Sequence, residues 1–344
     1  FRKREARRVV PHPMRCFPPS SSLYITTWSS VRRQARTNSF ARSTTKRKGE
    51  RVRSREGENV SHCRKCPTMS ANLADGQRPD FVPLINLESG ESAASIVLAL
   101  QQSGFLLLKS PLLTPELLNR ALSASKDVLL SPDAADYGVV DHPAQPPAVP
   151  DPKRYALRNH SDLTALTPAS APRSGEVLTE LMDALEEVKL QLLEAIAVGL
   201  NLDDRKCFTN LHQKKNNTLR LLHYLPVSEA WGNRCKEHSD YGSVTLLLTD
   251  GTPGLEAFDD ATKRWVPVPH VEGAVVVNVG SLLTSWTMGS LRATLHRVAG
   301  PASLSSDTDP EELRQACKIP RFQSPFSRTS TQVPHCATLG RGKH

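Results

Sequence analysis

Three residues in the second half of the chain have side chains that could share one metal ion: His238, Asp240 and His296. His238 and Asp240 are two positions apart, and on an extended strand such residues point to the same side. His296 follows His238 by 58 residues (296 − 238), which suits four or five strands and turns of a closed β-barrel. Two imidazoles and one carboxylate occupy one face of an octahedral ion and leave three positions open. Non-haem Fe(II) that also holds a co-substrate and O2 uses this ligand set.

The residue types alone leave two alternatives open. Zinc could bind the same atoms, although a catalytic zinc site is normally tetrahedral and has fewer open positions. Alternatively, His238 and Asp240 are polar surface residues and His296 is a hydrogen-bonded histidine of the core. A bare His-x-Asp with a later histidine does not decide between these cases.

The elements that would position these residues are helical first and β later. A strand-like run at 81–87 precedes a helix that Gly104 ends, and 105–108 is typical of a buried strand. Thr114 and Pro115 begin a second helix that runs to about Leu130. The proline-rich residues 131–172 predict a long irregular connection, and Ser174 caps a long amphipathic helix that ends near Gly199 or Asn201.

From Thr218 onward, the pattern changes to short β runs separated by glycine-containing turns. Six such runs without βαβ alternation favour a sandwich or a small barrel. The predicted strands are 219–224, 243–248, 255–258, 265–268, 274–279 and 293–298.

The net charge of +9 is unevenly distributed. Residues 1–68 contain 18 Lys+Arg against 4 Asp+Glu, a net of +14, so the remaining chain carries −5. The N-terminal segment has no hydrophobic period and is expected to be disordered. Its composition is compatible with an organellar transit peptide or a nucleic-acid-binding arm. A third interpretation is upstream sequence added by a gene model, because Met69 resembles an ordinary protein start. Cys63 and Cys66 form a lone CxxC, which is a weak zinc motif.

The body of the chain is mildly acidic, and its cysteine usage indicates an intracellular compartment. Its mild acidity gives no phosphate-tracking surface, so we expect no nucleic-acid partner. No apolar run reaches the roughly 20 residues of a membrane span. The seven cysteines are scattered and odd in number, which favours reduced thiols and a cytoplasmic location, or an organellar one if the N-terminal segment is a transit peptide.

Several motifs in order resemble the Fe(II)/2-oxoglutarate-dependent dioxygenases of the isopenicillin N synthase-like group. The resemblance covers roughly 81–298 and is specific for the superfamily, not for a substrate. It is carried by Arg220-Leu-Leu-His-Tyr224-Leu-Pro226, His238-Ser-Asp240-Tyr-Gly-Ser-Val-Thr-Leu-Leu, Pro253-Gly254-Leu255-Glu256, Trp265-Val266-Pro267-Val268, Val277-Asn278-Val279-Gly280, Trp286-Thr287-x-Gly289 and His296-Arg297-Val298.

The resemblance implies an α+β chain with a mainly β core. That core would be a double-stranded β-helix, or jelly-roll barrel, preceded by an N-terminal helical region. It places His238, Asp240 and His296 on the iron ligands and Tyr224 on the residue that contacts the co-substrate carboxylate. The alternative for Tyr224 is a tyrosine packed in the barrel. Asn278 falls near the metal, where a structural hydrogen bond is the expected role. The implied domains are 69–210, helical with a few strands, and 211–326, the oxygenase barrel, with an irregular tail at 327–344.

The match fails near its C-terminal end. In the family, an Arg-x-Ser after the last ligand clamps the distal carboxylate of 2-oxoglutarate by bidentate guanidinium pairing and a hydroxyl donor. Here Arg321-Phe322 is followed by Gln323, and the serine comes one residue late, at Ser324. A slip of one residue turns a side chain to the other face of a strand, so Ser324 is the weaker candidate. Residues 325–344 are polar and unpatterned, which predicts a missing edge strand. Two smaller departures are Ser281, where the family usually has Asp, and Met288, where it often has Asn.

The sequence therefore predicts an oxygenase that couples decarboxylation of 2-oxoglutarate to hydroxylation or desaturation of a small organic molecule, with Fe(II), 2-oxoglutarate and O2 as its cofactors. Two alternatives remain open. One is an iron oxidase of the same fold that does not use 2-oxoglutarate. The other is a catalytically impaired binding protein with a basic nucleic-acid-binding arm. Neither the substrate nor the oligomeric state follows from the sequence.

Overall fold

The computed structural model describes residues 81–87, 92–142, 153–212, 216–303, 306–318 and 321–328. The chain divides into two units, 1–71 and 72–344, and every described residue lies in the second. The basic segment 1–68, with Cys63 and Cys66, lies outside the described residues, as does most of the predicted tail. None of the helices in the described ranges has both the length and the apolarity needed to cross a membrane.

Three long helices precede the β-rich half: α1 (Ala93–Gln102), α2 (Pro115–Leu130) and α4 (Ser174–Gly199). Two short helices are α3 (Asp162–Ala165) and α5 (Ser281–Trp286), and α6 (Pro310–Lys318) comes late in the chain. The predicted start of α2 is confirmed, since the Thr114 hydroxyl accepts a hydrogen bond from the amide of Leu117 and Pro115 is the first helical residue. The predicted cap at Ser174 is wrong. Ser174 is itself the first residue of α4, and Arg173 precedes it without a side-chain cap bond.

Twelve strands in the described ranges form two sheets. The large sheet has the order β1-β2-β10-β7-β12-β5-β4-β3. Its strands are β1 (Leu84–Asn86), β2 (Phe105–Lys109), β3 (Val140–His142), β4 (Lys153–Arg158), β5 (Asn217–Tyr224), β7 (Val244–Thr249), β10 (Val275–Val279) and β12 (Arg321–Arg328). The small sheet has the order β6-β11-β8-β9, with β6 (Cys235–His238), β8 (Leu255–Asp259), β9 (Arg264–Pro267) and β11 (His296–Val298). Among the described residues, these ladders are two separate sheets and not the closed barrel that was expected.

The large sheet separates a helical core from a cavity. Along β5, Leu219 and Leu221 belong to the main apolar cluster with residues of α1, α2 and α4, whereas Leu222 and Tyr224 face the opposite side and line the cavity. This alternation follows from the two-residue period of a strand. The packed helices therefore hold one face of the sheet rigid while its other face carries the functional side chains.

The structure corrects two predictions about irregular segments. Residues 131–172 contain β3, β4 and α3, and β4 pairs antiparallel with β5 over its whole length. The predicted missing edge strand is also wrong, since β12 extends to Arg328 and lies between β5 and β7. Phe322 and Phe326 on its helix-facing side are both buried, and that burial compensates for the polar residues between them.

Candidate metal centre

The side chains of His238, Asp240 and His296 converge at the edge of the small sheet. His238 ends β6, His296 begins β11, and the two residues are directly paired across the antiparallel ladder. The Asp240 Oδ1 atom lies 3.9 Å from His238 Nε2 and 3.8 Å from His296 Nε2. One ligand atom from each residue falls within 4.8 Å of the others. The register of two strands thus brings together residues that are 58 positions apart in sequence (296 − 238).

Both imidazoles are oriented by a backbone carbonyl. The Nδ1 atom of His238 lies 2.7 Å from the carbonyl oxygen of Lys236, and that of His296 lies 3.1 Å from the carbonyl oxygen of Thr294. A hydrogen bond at Nδ1 fixes the orientation of each ring and places Nε2 toward Asp240. The rings stand 4.2 Å apart between centroids, and Phe105 packs edge-on against His296.

Asp240 is held by three neighbours. Its Oδ2 atom accepts hydrogen bonds from Asn278 Nδ2 at 2.8 Å and from the Thr245 hydroxyl at 2.5 Å, which leaves Oδ1 for the imidazoles. Burial raises the pKa of Asp240, but the His296 imidazole and these two hydrogen bonds hold the pKa below its ordinary value. Ser281 donates its amide and its hydroxyl to the Asp240 carbonyl oxygen. Ser281, which stands where the family usually has Asp, therefore supports the turn that carries Asp240.

The two histidines differ in their affinity for a proton. Burial lowers the pKa of His296, and the Asp240 carboxylate only partly offsets it. Burial also lowers the pKa of His238, but a hydrogen bond and charge interaction with Cys235, the Lys236 carbonyl and Asp240 raise it overall to about 9. In the metal-free protein at neutral pH, His238 therefore carries the proton and His296 is neutral.

A buried ion pair lies directly behind His296. Arg297 donates from Nε to Glu256 Oε2 at 2.8 Å, and both side chains are almost fully buried. Glu256 Oε1 also accepts hydrogen bonds from the hydroxyls of Ser306 and Thr308. Since Arg297 and Glu256 are paired between β11 and β8, this contact fixes the strand that presents His296.

The triad opens onto a cavity of about 850 Å³ between the two sheets. The Thr245 that supports Asp240 is paired with Ser327, and Ser327 with Thr218, at the triad end. At the other end, Tyr224 is paired with both Lys153 and Arg321. A cavity of this size is typical of a small-molecule site.

Among the predicted co-substrate residues, Tyr224 ends β5, whereas Arg321 and Ser324 lie on opposite faces of β12. Tyr224 is buried at the cavity, and its hydroxyl accepts a hydrogen bond from Gln323 Nε2 at 2.8 Å. Arg321 lies behind Gln323 and donates to Gln323 Oε1 at 3.4 Å. It also donates to the carbonyl oxygens of Thr252 and Pro253. Ser324 is fully buried on the opposite face, where its hydroxyl lies 3.2 Å from that of Ser125 in α2. It does not reach the cavity, and Gln323, which the sequence analysis did not select, takes the cavity-facing place.

The donor set fits a first-row dication. Ligands at about 2.1 Å from one ion on a single face lie roughly 3 Å apart, and small side-chain rotations would close the observed 3.8–3.9 Å separations. Two imidazole nitrogens and one carboxylate oxygen suit iron in its 2-His-1-carboxylate arrangement. His238 is the half-exposed member, so the side open to the cavity is where further ligands would enter.

Comparison with known proteins agrees with this geometry. A sequence profile of the 2OG-Fe(II) oxygenase superfamily matches residues 215–306. A 2-oxoglutarate-Fe(II) type oxidoreductase of Aspergillus fumigatus is 31% identical over 273 residues, which cover 70% of this chain and 76% of that protein. The 2-oxoglutarate-dependent dioxygenase htyE of Aspergillus rugulosus is 40% identical over 161 residues, but the chain spans only 48% of its length.

The fold has solved counterparts. The crystal structure of a Neurospora crassa protein in complex with alpha-KG and thymine superposes with a TM-score of 0.61 and 22% identity. The match covers 76% of this chain and 90% of the Neurospora crassa chain. At that identity the likeness concerns the fold alone. The profile match and the long alignment with the Aspergillus fumigatus protein settle the family: the chain belongs to the 2OG-Fe(II) oxygenase superfamily.

Proposed function

We propose that the protein is a non-haem iron oxygenase that oxidises a small organic molecule at the expense of 2-oxoglutarate and O2. The observation that carries the proposal is the convergence of His238, Asp240 and His296 at the wall of an 850 Å³ cavity. In this proposal, the three side chains would hold Fe(II) at the wall of the cavity. When bound, iron and 2-oxoglutarate supply the oxygen activation that the protein's own side chains cannot perform.

The residues at the far end of the cavity receive the co-substrate. Gln323 has a second amide hydrogen beyond the one given to Tyr224, and that bond holds the Tyr224 hydroxyl beside the Gln323 amide. Arg321 adds a positive charge directly behind the Gln323 carbonyl. We assign the distal carboxylate of 2-oxoglutarate to Tyr224 and Gln323, with Arg321 stabilising it by charge. Ser324 has no part in this subsite because it faces α2.

The fold supports this assignment. We infer that the large and small sheets are the two halves of a double-stranded β-helix, with the cavity between them. The TM-score of 0.61 with the Neurospora crassa protein, whose crystals contain alpha-KG, supports the inference. Apolar residues of both sheets line the cavity and exclude water from the reacting atoms (Leu222, Leu247, Leu255 and Val298). Hydroxylation and desaturation are both compatible with this site.

The test is metal-dependent turnover of 2-oxoglutarate. Purified full-length protein with Fe(II), 2-oxoglutarate and O2 is expected to form succinate and CO2, and His296→Ala is expected to abolish both. Arg205→Met, which changes an exposed ion pair with Glu194 on the helical side, serves as the matched control. Iron binding without succinate formation would instead indicate an oxidase that does not use 2-oxoglutarate.

Two further proposals concern the domain boundaries and the cellular location. We propose the two sequence regions 69–210 and 211–326, whose described residues belong to one folded unit, since β4 of the first region pairs with β5 of the second. We also propose a cytoplasmic location. A fluorescent fusion would test the location, and an organellar signal that depends on residues 1–68 would contradict it.

A further inference from the structure

Arg220 is a cavity residue that the iron chemistry does not use. It lies on β5 between Thr218 and Leu222, and all three side chains line the cavity because alternate residues of a strand share a face. Its side chain is exposed, and it makes no hydrogen bond or ion pair with any residue in the described ranges. A guanidinium that is accessible and uncommitted in a cavity is available to a ligand.

The surroundings of Arg220 are apolar. Leu157 is paired with Arg220 across β4 and β5, and Leu222 and Pro325 line the same wall. The other cavity arginine, Arg297, is already engaged by Glu256 and Glu237. Arg220 is thus a single positive charge framed by hydrocarbon. That combination suits a ligand that has one anionic group on an apolar skeleton.

The charge balance of the cavity points to the same ligand. Among the described residues that line it, Asp240 is the sole carboxylate. An iron dication, the Asp240 carboxylate, the Arg321 guanidinium and a dianionic 2-oxoglutarate sum to zero. Arg220 then leaves the loaded cavity positively charged, so an anion is favoured over a neutral or cationic molecule as the next ligand.

Position along the strand distinguishes Arg220 from the co-substrate end. Tyr224 is four residues farther along β5, about 13 Å between Cα atoms at the usual strand rise. Thr218, two residues in the other direction, is paired with Ser327, which is paired with the Thr245 that supports Asp240. Lys153 instead lies beside Tyr224, with Nζ 5.9 Å from the ring centroid. Arg220 is therefore nearer to the metal end, where the primary substrate must be held.

From these observations we infer that the primary substrate is a small organic acid whose carboxylate pairs with Arg220. Its apolar skeleton lies against Leu157, Leu222 and Pro325, which brings a C–H bond toward the triad. The inference rests on the proposed oxygenase function and adds the substrate class.

The experiment compares small organic acids with their uncharged methyl esters in the iron-loaded, full-length protein. Substrate-stimulated succinate formation is the first readout. The second is the rise in melting temperature that each compound gives in the protein loaded with Mn(II) and 2-oxoglutarate, which reports binding without turnover. Acids are expected to stimulate and to stabilise, and their esters are expected to do neither.

Variants then assign the effect to a residue. Arg220→Gln is expected to raise the KM and Kd for the active acid about 10–100-fold, the usual loss for a charge-assisted hydrogen-bonded pair. Arg220→Lys keeps the charge but loses the bidentate geometry, so an intermediate value is expected. Arg173→Gln removes an exposed charge outside the cavity and is the matched control, with values equal to wild type.

Each contrary result has a distinct meaning. If no succinate forms in the wild-type protein under any condition, the proposed function fails. If succinate forms but esters act as well as acids, or if Arg220→Gln binds the acid as wild type does, the inference is overturned. It is also overturned if Arg220→Gln raises the KM for 2-oxoglutarate in place of the acid, or if Lys153→Gln alone carries the effect.

Discussion

Replacing Arg297 with methionine should strongly destabilise the protein. Arg297 and Glu256 are 2% and 0% exposed, and their 2.8 Å contact is the charge pair that holds β11 against β8. The substitution leaves the Glu256 carboxylate buried with hydroxyl donors from Ser306 and Thr308 alone. Breaking a buried pair by removing one partner typically costs about 3–5 kcal/mol. The guanidinium also stacks 4.1 Å from the Trp265 ring centroid, and that contact is lost as well.

Urea unfolding followed by tryptophan fluorescence measures the loss of unfolding free energy, and a thermal melt measures the corresponding shift in melting temperature. At roughly 2–4 °C per kcal/mol for a domain of this size, a cost of about 4 kcal/mol lowers the melting temperature by about 8–16 °C. The matched control is Arg205→Met, whose 2.9 Å pair with Glu194 is largely exposed and should contribute less than about 1 kcal/mol.

A double variant identifies the cause, because it also removes the buried carboxylate that Arg297→Met leaves without its cation. The double variant Arg297→Met/Glu256→Leu should recover part of the loss. The reasoning is refuted if Arg297→Met loses no more stability than Arg205→Met, or if the double variant recovers none of the loss.

Three further predictions concern the site itself. Asn278→Ala and Thr245→Val each remove a donor to Asp240, so the affinity for Mn(II) should fall about 10–100-fold by titration calorimetry, and an unchanged affinity would contradict the role of these bonds. Because the pKa of His238 is about 9 and metal binds the neutral ring, binding at pH 7 should release about one proton. The apparent affinity for the metal should then rise about tenfold per pH unit and level off above pH 9. The raised pKa would be excluded by an affinity that does not change with pH, or by a binding enthalpy that is the same in buffers of different ionisation enthalpy. Gln323→Glu places a carboxylate between Tyr224 and Arg321, so 2-oxoglutarate should bind the Mn(II)-loaded protein at least about tenfold more weakly, and equal binding would remove Gln323 from the co-substrate subsite.

The sequence identified the metal triad through the motifs around it, but several of the strands that position it were not recognisable. Strand β6, which ends at His238, is only Cys235-Lys236-Glu237-His238 and has no alternation of apolar and polar residues. It is a strand because β11 pairs with it, a tertiary contact that local pattern does not encode. In contrast, β12 did carry a signal. Phe322 and Phe326 share one face at a period of two, and the polar residues between them masked it.

The supporting contacts of the site were also beyond local pattern. Asn278 lies 38 positions from Asp240 and Arg297 lies 41 positions from Glu256, so their pairing depends on strand register. The one-residue shift at Ser324 was informative because the side-chain period of a strand is strict. It predicted that Ser324 faces away from the cavity, but not that Gln323 would bridge Tyr224 and Arg321.

The most direct test of the central claim is the fate of 2-oxoglutarate in the Fe(II)-loaded protein. Succinate and labelled CO2 are measured after O2 is added to wild type, Asp240→Ala and the Arg205→Met control. One succinate and one CO2 per 2-oxoglutarate consumed, in wild type and control but not in Asp240→Ala, is the predicted result. A protein that binds one Fe(II) through the triad and still leaves 2-oxoglutarate intact would contradict the claim.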